Sequence, residues 1–378
     1  MRDVDAISST TKPKPKPGIV TWLTSTVGRI LVSLLVPVIT FLVLWRGFIF
    51  LRDSDAPQVV QVLVAIVWGV GGVALLYTVS NWLVEQLPKE WVRRIQPFVF
   101  VGPALAILAW YLVIPTFRTL LMSFQNDIST RFVGLDNFIF AFSDRIMLEA
   151  FRNNLLWMIF GTGFSVGLGL LIAVLADRSR FEKIYKAIIF MPMAISFVGA
   201  GVIWKFMYTY KGEGIGVVEI GLLNAIVIAL GGKPQPWLTA APWNNFFLIV
   251  IMVWLQTGYA MVILSSAIKA IPAELLEAAR VDGANEFQVF FKIMIPAIQG
   301  TLLSVITTIV IFSLKLFDIV RVMTGGNNGT NVIANEFYIQ RFTYGNAGRA
   351  SAIAVILLIA VIPVIIYNLR QFRERRAF

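Results

Sequence analysis

The chain has 378 residues, 58% of them hydrophobic and 14% charged, with a net charge of +11 and a mean hydropathy of +0.78. Soluble domains carry roughly 25% charged residues, so this balance excludes an ordinary soluble fold and points to an all-α, polytopic membrane bundle. With no cysteine and no histidine, disulfides, thiolate nucleophiles, imidazole ligands and Ser-His-acid sites are excluded. No acidic cluster has calcium-loop spacing, and no basic run is interleaved with aromatics as a nucleic-acid groove requires. Neither an enzyme nor a nucleic-acid partner is expected.

The first element, residues 1–27, contains Lys12-Pro-Lys-Pro-Lys-Pro17, whose alternating prolines forbid a helix and predict an extended, disordered tail. Eight apolar segments follow that can cross a hydrocarbon core of about 30 Å. They run from Ile30 to Phe50, Val59 to Leu83, Phe98 to Leu121, Leu155 to Ala176, Ala187 to Tyr208, Phe246 to Ser266, Leu302 to Ile319 and Ala350 to Tyr367. With the N-terminus inside, 19 Lys and Arg fall in cytoplasmic segments and 9 in outer loops, which places both termini in the cytoplasm. Arg46, Arg118, Lys205 and Lys315 fall near outer helix ends, where long side chains snorkel to the interface. The outer loops Gln125 to Asn154, Thr209 to Asn245 and Val320 to Arg349 are too short for an independent domain.

One cytoplasmic interval is unusually polar: EAARVDGANEFQVFFKIMIP, from Glu277 to Pro296. Its spacing predicts two short helices. Pro272 suits a helix start, Asp282-Gly283 a stop, and Asn285 with Gln288 a capping pair that restarts the chain. Phe287, Phe290, Phe291 and Met294 repeat at helical spacing and predict a greasy face. Glu277 and Arg280 are placed to pair three residues apart, while Ala278 and Ala279 keep the surface beside Glu277 low. A docking knob for another protein and an amphipathic helix lying among lipid headgroups both fit this pattern.

Glu277-Ala278-Ala279, three residues, Gly283, nine residues, then Ile293-Met294-Ile295-Pro296 resembles the EAA signature of permease subunits in bacterial binding-protein-dependent ABC importers. Ile295 stands where that pattern usually has Leu. Phe132-Val-Gly-Leu-Asp-Asn-Phe138, Ser313-Leu-Lys-Leu-Phe-Asp318 and Met323-Thr-Gly-Gly326 are similar to the maltose-type carbohydrate branch. Asn331-Val-Ile-Ala-Asn-Glu-Phe337, Gly348-Arg-Ala-Ser-Ala-Ile-Ala354 and Tyr367-Asn-Leu-Arg-Gln-Phe372 look most like alpha-glucoside permeases.

The resemblance runs from about Pro97 onward. It implies a six-helix type I importer core over 97–370, with a coupling loop at 268–297, two accessory helices over 28–96 and a basic tail over 371–378. The maltose permease's large insert has no room between Gln125 and Asn154.

The resemblance further implies a bacterial inner-membrane importer of a di- or oligosaccharide, an alpha-glucoside, working by alternating access and built with a second permease subunit of a different chain, an ATPase dimer and an extracytoplasmic substrate-binding protein. ATP and Mg would be held by the ATPase, since this chain has no GxxxxGK[ST] loop and Gly231-Gly-Lys233 is followed by Pro. By matching position, Glu277, Ala278, Ala279, Asp282 and Gly283 would form the coupling element, and Pro296 would pin it where the chain re-enters the membrane. For the substrate path, Trp254, Gln256 and Tyr259 offer aromatic and polar groups within about one turn; packing between helices is the other reading of these residues. Lys315 and Asp318 are placed to neutralise each other, or to meet substrate. A secondary transporter or channel is the alternative from another class; it would show internal repeats or membrane-centre acids, and neither is evident.

Overall fold

The computed structural model describes residues 26–177, 179–212 and 220–375, without the side chains of 26–32 and 369–375. The tail expected over 1–27 lies outside the described residues except for its last two, which are helical, and Arg178 lies outside them too. The chain divides into two compact units, the first ending at Pro115 and the second beginning at Thr116.

The first unit holds α1 (Thr26–Asp53), α2 (Gln58–Glu85) and most of α3 (Lys89–Met122). Polar contacts join neighbours: Trp68 Nε1 donates to the Leu44 carbonyl at 3.1 Å, and the Tyr77 hydroxyl donates to that of Phe100 at 3.1 Å. Their remaining surface is apolar and largely exposed, as Val59, Val67 and Val70 illustrate.

The second unit continues through α4 (Asp136–Ser143), α5 (Arg145–Asp177), α6 (Glu182–Phe190), α7 (Phe197–Met207), α8 (Leu222–Ala229) and α9 (Asn244–Lys269). Then come α10 (Ala273–Val281), α11 (Glu286–Leu314), α12 (Asp318–Met323), α13 (Ile333–Tyr338) and α14 (Ala347–Arg375). Among the described residues seven helices are long and apolar enough to cross a membrane, or eight if one bent pair is a single span. The eight expected spans therefore stand, with changes at two of them.

The fifth span is not a straight helix. Beyond α6 the chain tightens over Met191–Ala194, extends at Ile195 and restarts as α7, with the two parts bent by 101°. Pro192 and Ser196 explain the break: proline cannot continue the α-helical ladder, and Ser196 caps α7 by accepting from the Gly199 N–H at 3.1 Å.

The seventh span begins earlier and ends sooner than Leu302 to Ile319, because α11 runs through Pro296 and stops at Leu314. A widened turn at Phe290–Met294 precedes the proline, where a ladder bond is necessarily missing. Around Pro296 the helix is therefore continuous and does not restart.

Helix α9 is the hub of the second unit, with Leu248, Ile251, Met252, Leu255, Met261 and Leu264 all buried. It packs against Val166, Leu170 and Ala173 of α5 and against Val305 and Ile309 of α11.

Where α9 begins, asparagines clasp the loop between α12 and α13. Asn153 donates to the carbonyls of Gly329 and Asn331 at 2.9 and 2.8 Å, and Asn245 donates to Gly329 at 2.9 Å. Asn154 accepts from the Ile333 N–H at 2.8 Å, and Glu336, buried, accepts from Asn331 and Gln340 at 2.7 Å each. Most of the side-chain donors and loop carbonyls taken out of water here find partners, while Asn245 Oδ1 and Gln340 Oε1 have none among the described residues.

Candidate functional site

Four residues after α9 ends, α10 leaves the bundle as a separate bracket. Pro272 immediately precedes it, and Leu276 and Ala279 turn inward onto the core. Glu274, Glu277 and Ala278 are exposed on the opposite side, and Val281 is 87% exposed.

The helix ends as its sequence predicts. Gly283 takes φ +84°, a left-handed conformation easiest for glycine. Its N–H donates to Arg280 at 3.1 Å while that of Ala284 donates to Ala279 at 3.0 Å, satisfying carbonyls the helix leaves open. Asp282 is the last residue before this turn. Asn285 and Gln288 then cap each other's N–H groups at 2.9 Å, opening α11.

One expectation needs correction. Arg280 does not pair with Glu277; its Nε binds Glu286 Oε1 across the turn at 3.0 Å. This stiffens the bracket and leaves Glu277 without an ion-pair partner among the described residues. The four apolar residues of the second piece do share one face, as their spacing predicts: with Gly167, Leu171 and Leu175, Phe287, Phe290, Phe291 and Met294 line an apolar groove of about 570 Å³. Met294 lies at its buried side and Phe287, 77% exposed, at its open side.

The residues expected along a substrate path separate into three places. Gln256 and Tyr259, three apart on α9, line a cavity of about 350 Å³ with Leu255, Thr308, Phe312 and the break residues Met193, Ile195 and Phe197. Gln256 is only 5% exposed, and its amide has no hydrogen bond among the described residues. An unpaired buried amide costs about 1–3 kcal/mol, so this group is open to a ligand.

Trp254 lies elsewhere, because two residues along an α-helix turn a side chain by about 200°. Its ring stands edge-on to Trp204 at 5.8 Å, in an aromatic stack that continues through Tyr208 to Trp237 and Phe247. Lys315 and Asp318 lie on either side of the turn that closes α11 and form no ion pair with each other among the described residues. A turn, unlike a helix, does not stack residues three apart.

Sequence reasoning missed Val281 as the more exposed of the bracket's large hydrophobic residues, 87% against 49% for Leu275, and missed the break residues as cavity wall. The signal for the second was present in Pro192 and Ser196, inside a run that otherwise looks like an uninterrupted span.

A multi-helix membrane bundle with a stiff external bracket and a mostly apolar cavity at the midpoint of its central helix defines a transport subunit rather than an enzyme. Residues 165–378 match the family described as binding-protein-dependent transport system inner membrane component, more than half of the chain, and the chain belongs to that family.

Over 277 residues the chain is 58% identical to the osmoprotective compounds uptake permease protein GgtC of Synechocystis, covering 73% of this chain and 99% of the relative. It is 50% identical over 280 residues to the alpha-glucoside transport system permease protein AglF of Rhizobium meliloti, covering 74% of this chain and 83% of that one. Its fold matches a chain of a bacterial alginate ABC transporter crystallised with an alginate pentasaccharide-bound periplasmic protein. That match has a TM-score of 0.65 and 18% identity, over 76% of this chain and 96% of the other.

Proposed function

We propose that this chain forms half of the translocation pathway of an ATP-driven importer for a small, uncharged alpha-glucoside. Glu277, Ala278 and Val281 dock on a separate ATPase, which holds ATP and Mg. A second permease subunit completes the pathway, and a substrate-binding protein delivers the solute. Both termini and α10 lie in the cytoplasm, on the side favoured by the Lys and Arg distribution. Asp282, Gly283 and Pro296 hold the docking face in place.

The observation that carries the docking reading is the free carboxylate of Glu277 beside the fully presented Val281, on a bracket fixed by the Arg280–Glu286 pair. An acid at this position suits a protein groove better than headgroups, which favour Lys and Arg. Two-state closure of the ATPase pair would then move α9 and α11, to which α10 is joined at both ends, and exchange outward for inward access.

For the substrate, the cavity offers the Gln256 amide, the Tyr259 hydroxyl, Thr308 and aromatic faces, with no charged group in its lining. That combination fits hydroxyls and apolar ring faces. The names of two relatives support the class, one an alpha-glucoside permease and the other a permease for osmoprotective compounds. Uptake of labelled alpha-glucosides of graded size, with glycine betaine as competitor, tests this choice. Transport of a glucoside unaffected by betaine supports the reading; betaine transport without glucoside transport overturns it.

A further inference from the structure

Helix α6 is held against α9 at two points, neither of which belongs to the α10 face. Midway along it, Lys186 bonds three side chains at once: Asp177 at the end of α5, Glu182 one turn earlier at 2.5 Å, and Ser265 of α9. Ser265, 2% exposed, donates in turn to Asp177 Oδ1 at 2.8 Å, and Lys269 of α9 pairs with Glu182. Two lysines thus balance two carboxylates around a buried hydroxyl. Among the described residues, every ion pair joining one membrane-crossing helix of the second unit to another lies in this knot, apart from the Arg280–Glu286 bond of the bracket.

The second point lies about one turn further along α6, where its backbone crosses Gly258. A Cβ on Gly258 would fall 2.6 Å from the Ile189 carbonyl oxygen and 2.8 Å from Phe190 Cα. Only glycine permits this approach.

Sliding α6 along α9 would unpair the half-buried charges of Lys186 and Asp177 and leave the buried Ser265 hydroxyl without its partners, which is unfavourable, and would lose the backbone contact at Gly258. The two helices are therefore one mechanical body. One end of that body leads through Lys269 into α10; the other is the bend at Ile195 and Ser196, whose neighbours Met193 and Phe197 wall the cavity.

We infer that α6 is a rod that carries the movement of α10 to the cavity wall, with the bend as its hinge and Lys186 and Gly258 as the positioning residues that strap it to α9. The inference rests on the reading of α10 as the ATPase-docking face.

The test uses the complete transporter with its ATPase and binding protein. Because the chain has no cysteine, spin labels can be placed on introduced cysteines at Tyr185 and Val262, and separately at Tyr185 and Val198. The first pair should keep its distance between nucleotide-free and ATP-bound states, while the second, across the bend, changes. Lys186→Met should broaden the first distance and raise the ATP hydrolysed per solute moved by roughly two- to thirtyfold, with co-purification of the ATPase retained and Lys186→Arg closer to wild type.

A first distance that shifts with nucleotide as much as the second, or an unchanged ratio in Lys186→Met, overturns the rod. Glu277→Arg run in parallel separates the two ideas. If it leaves coupling intact, the docking reading itself fails; if it uncouples while Lys186→Met does not, only the rod fails.

Discussion

Helices α2 and α9 have nearly the same mean hydropathy, 2.4 and 2.2, yet 61% of the apolar stretch of α9 is buried and only 6% of that of α2. Hydropathy alone records that both can sit in lipid; it does not record which one is surrounded by protein. The difference lies in what surrounds the polar residues each carries. In α9, Asn245 and Ser265 bond other elements, Gly258 meets the α6 backbone and Gln256 faces a cavity; in α2, Trp68, Tyr77 and Asn81 also bond neighbours, but Val59, Val62, Val67 and Val70 point outward. In a membrane, where lipid tails are as apolar as leucine, packing and polar contacts rather than hydrophobicity separate a helix enclosed by protein from one left exposed.

Five substitutions test this contrast. The largest effect is expected in α10, beyond the end of α9: Glu277→Arg reverses its free charge and should abolish solute uptake or co-purification of the ATPase, and normal uptake would remove α10 from the interface. Within α9, Ile251→Ala opens a void at a residue with no exposure and should cost about 2–5 kcal/mol of stability, measured by denaturation in detergent. At the clasp, Asn153→Ala strips donors from the Gly329 and Asn331 carbonyls and should cost about 1–3 kcal/mol in the same measurement.

Gln256→Ala should leave assembly intact and stability no lower, since it removes a buried amide without a partner among the described residues, but weaken the apparent affinity for solute roughly two- to tenfold, the worth of one hydrogen bond, as read from uptake kinetics. Smallest of all, Val67→Ala in α2, at 71% exposure, should change stability by no more than about 0.5 kcal/mol. A large effect there would mean that this face is covered in the assembled transporter.

Much of this architecture is legible in the sequence. The apolar runs locate the helices, and the stop at Gly283 and the Asn285–Gln288 restart follow from local backbone chemistry that neighbours do not alter. What depends on three dimensions is not legible. Arg280 reaches Glu286 because the turn folds the two helices together, and the separation of Trp254 from Gln256 follows from helix geometry once the neighbouring helices are in place. The shared face of Phe287, Phe290, Phe291 and Met294 follows the helical period, but the groove they form with Gly167, Leu171 and Leu175 of α5 depends on the packing of two helices distant in sequence. The strap around Lys186 unites Asp177 with Ser265, 88 positions apart, and no local pattern announces it.

The proposed contact between this chain and its motor is α10. A single cysteine introduced at Ala278, in a chain that has none of its own, can be joined by a short bifunctional reagent to whatever lies against it in the assembled transporter. A covalent product with the ATPase subunit, accompanied by loss of uptake, is the expected result. An assembled and active transporter in which Ala278→Cys yields no such product, while Phe287→Cys does, would contradict it.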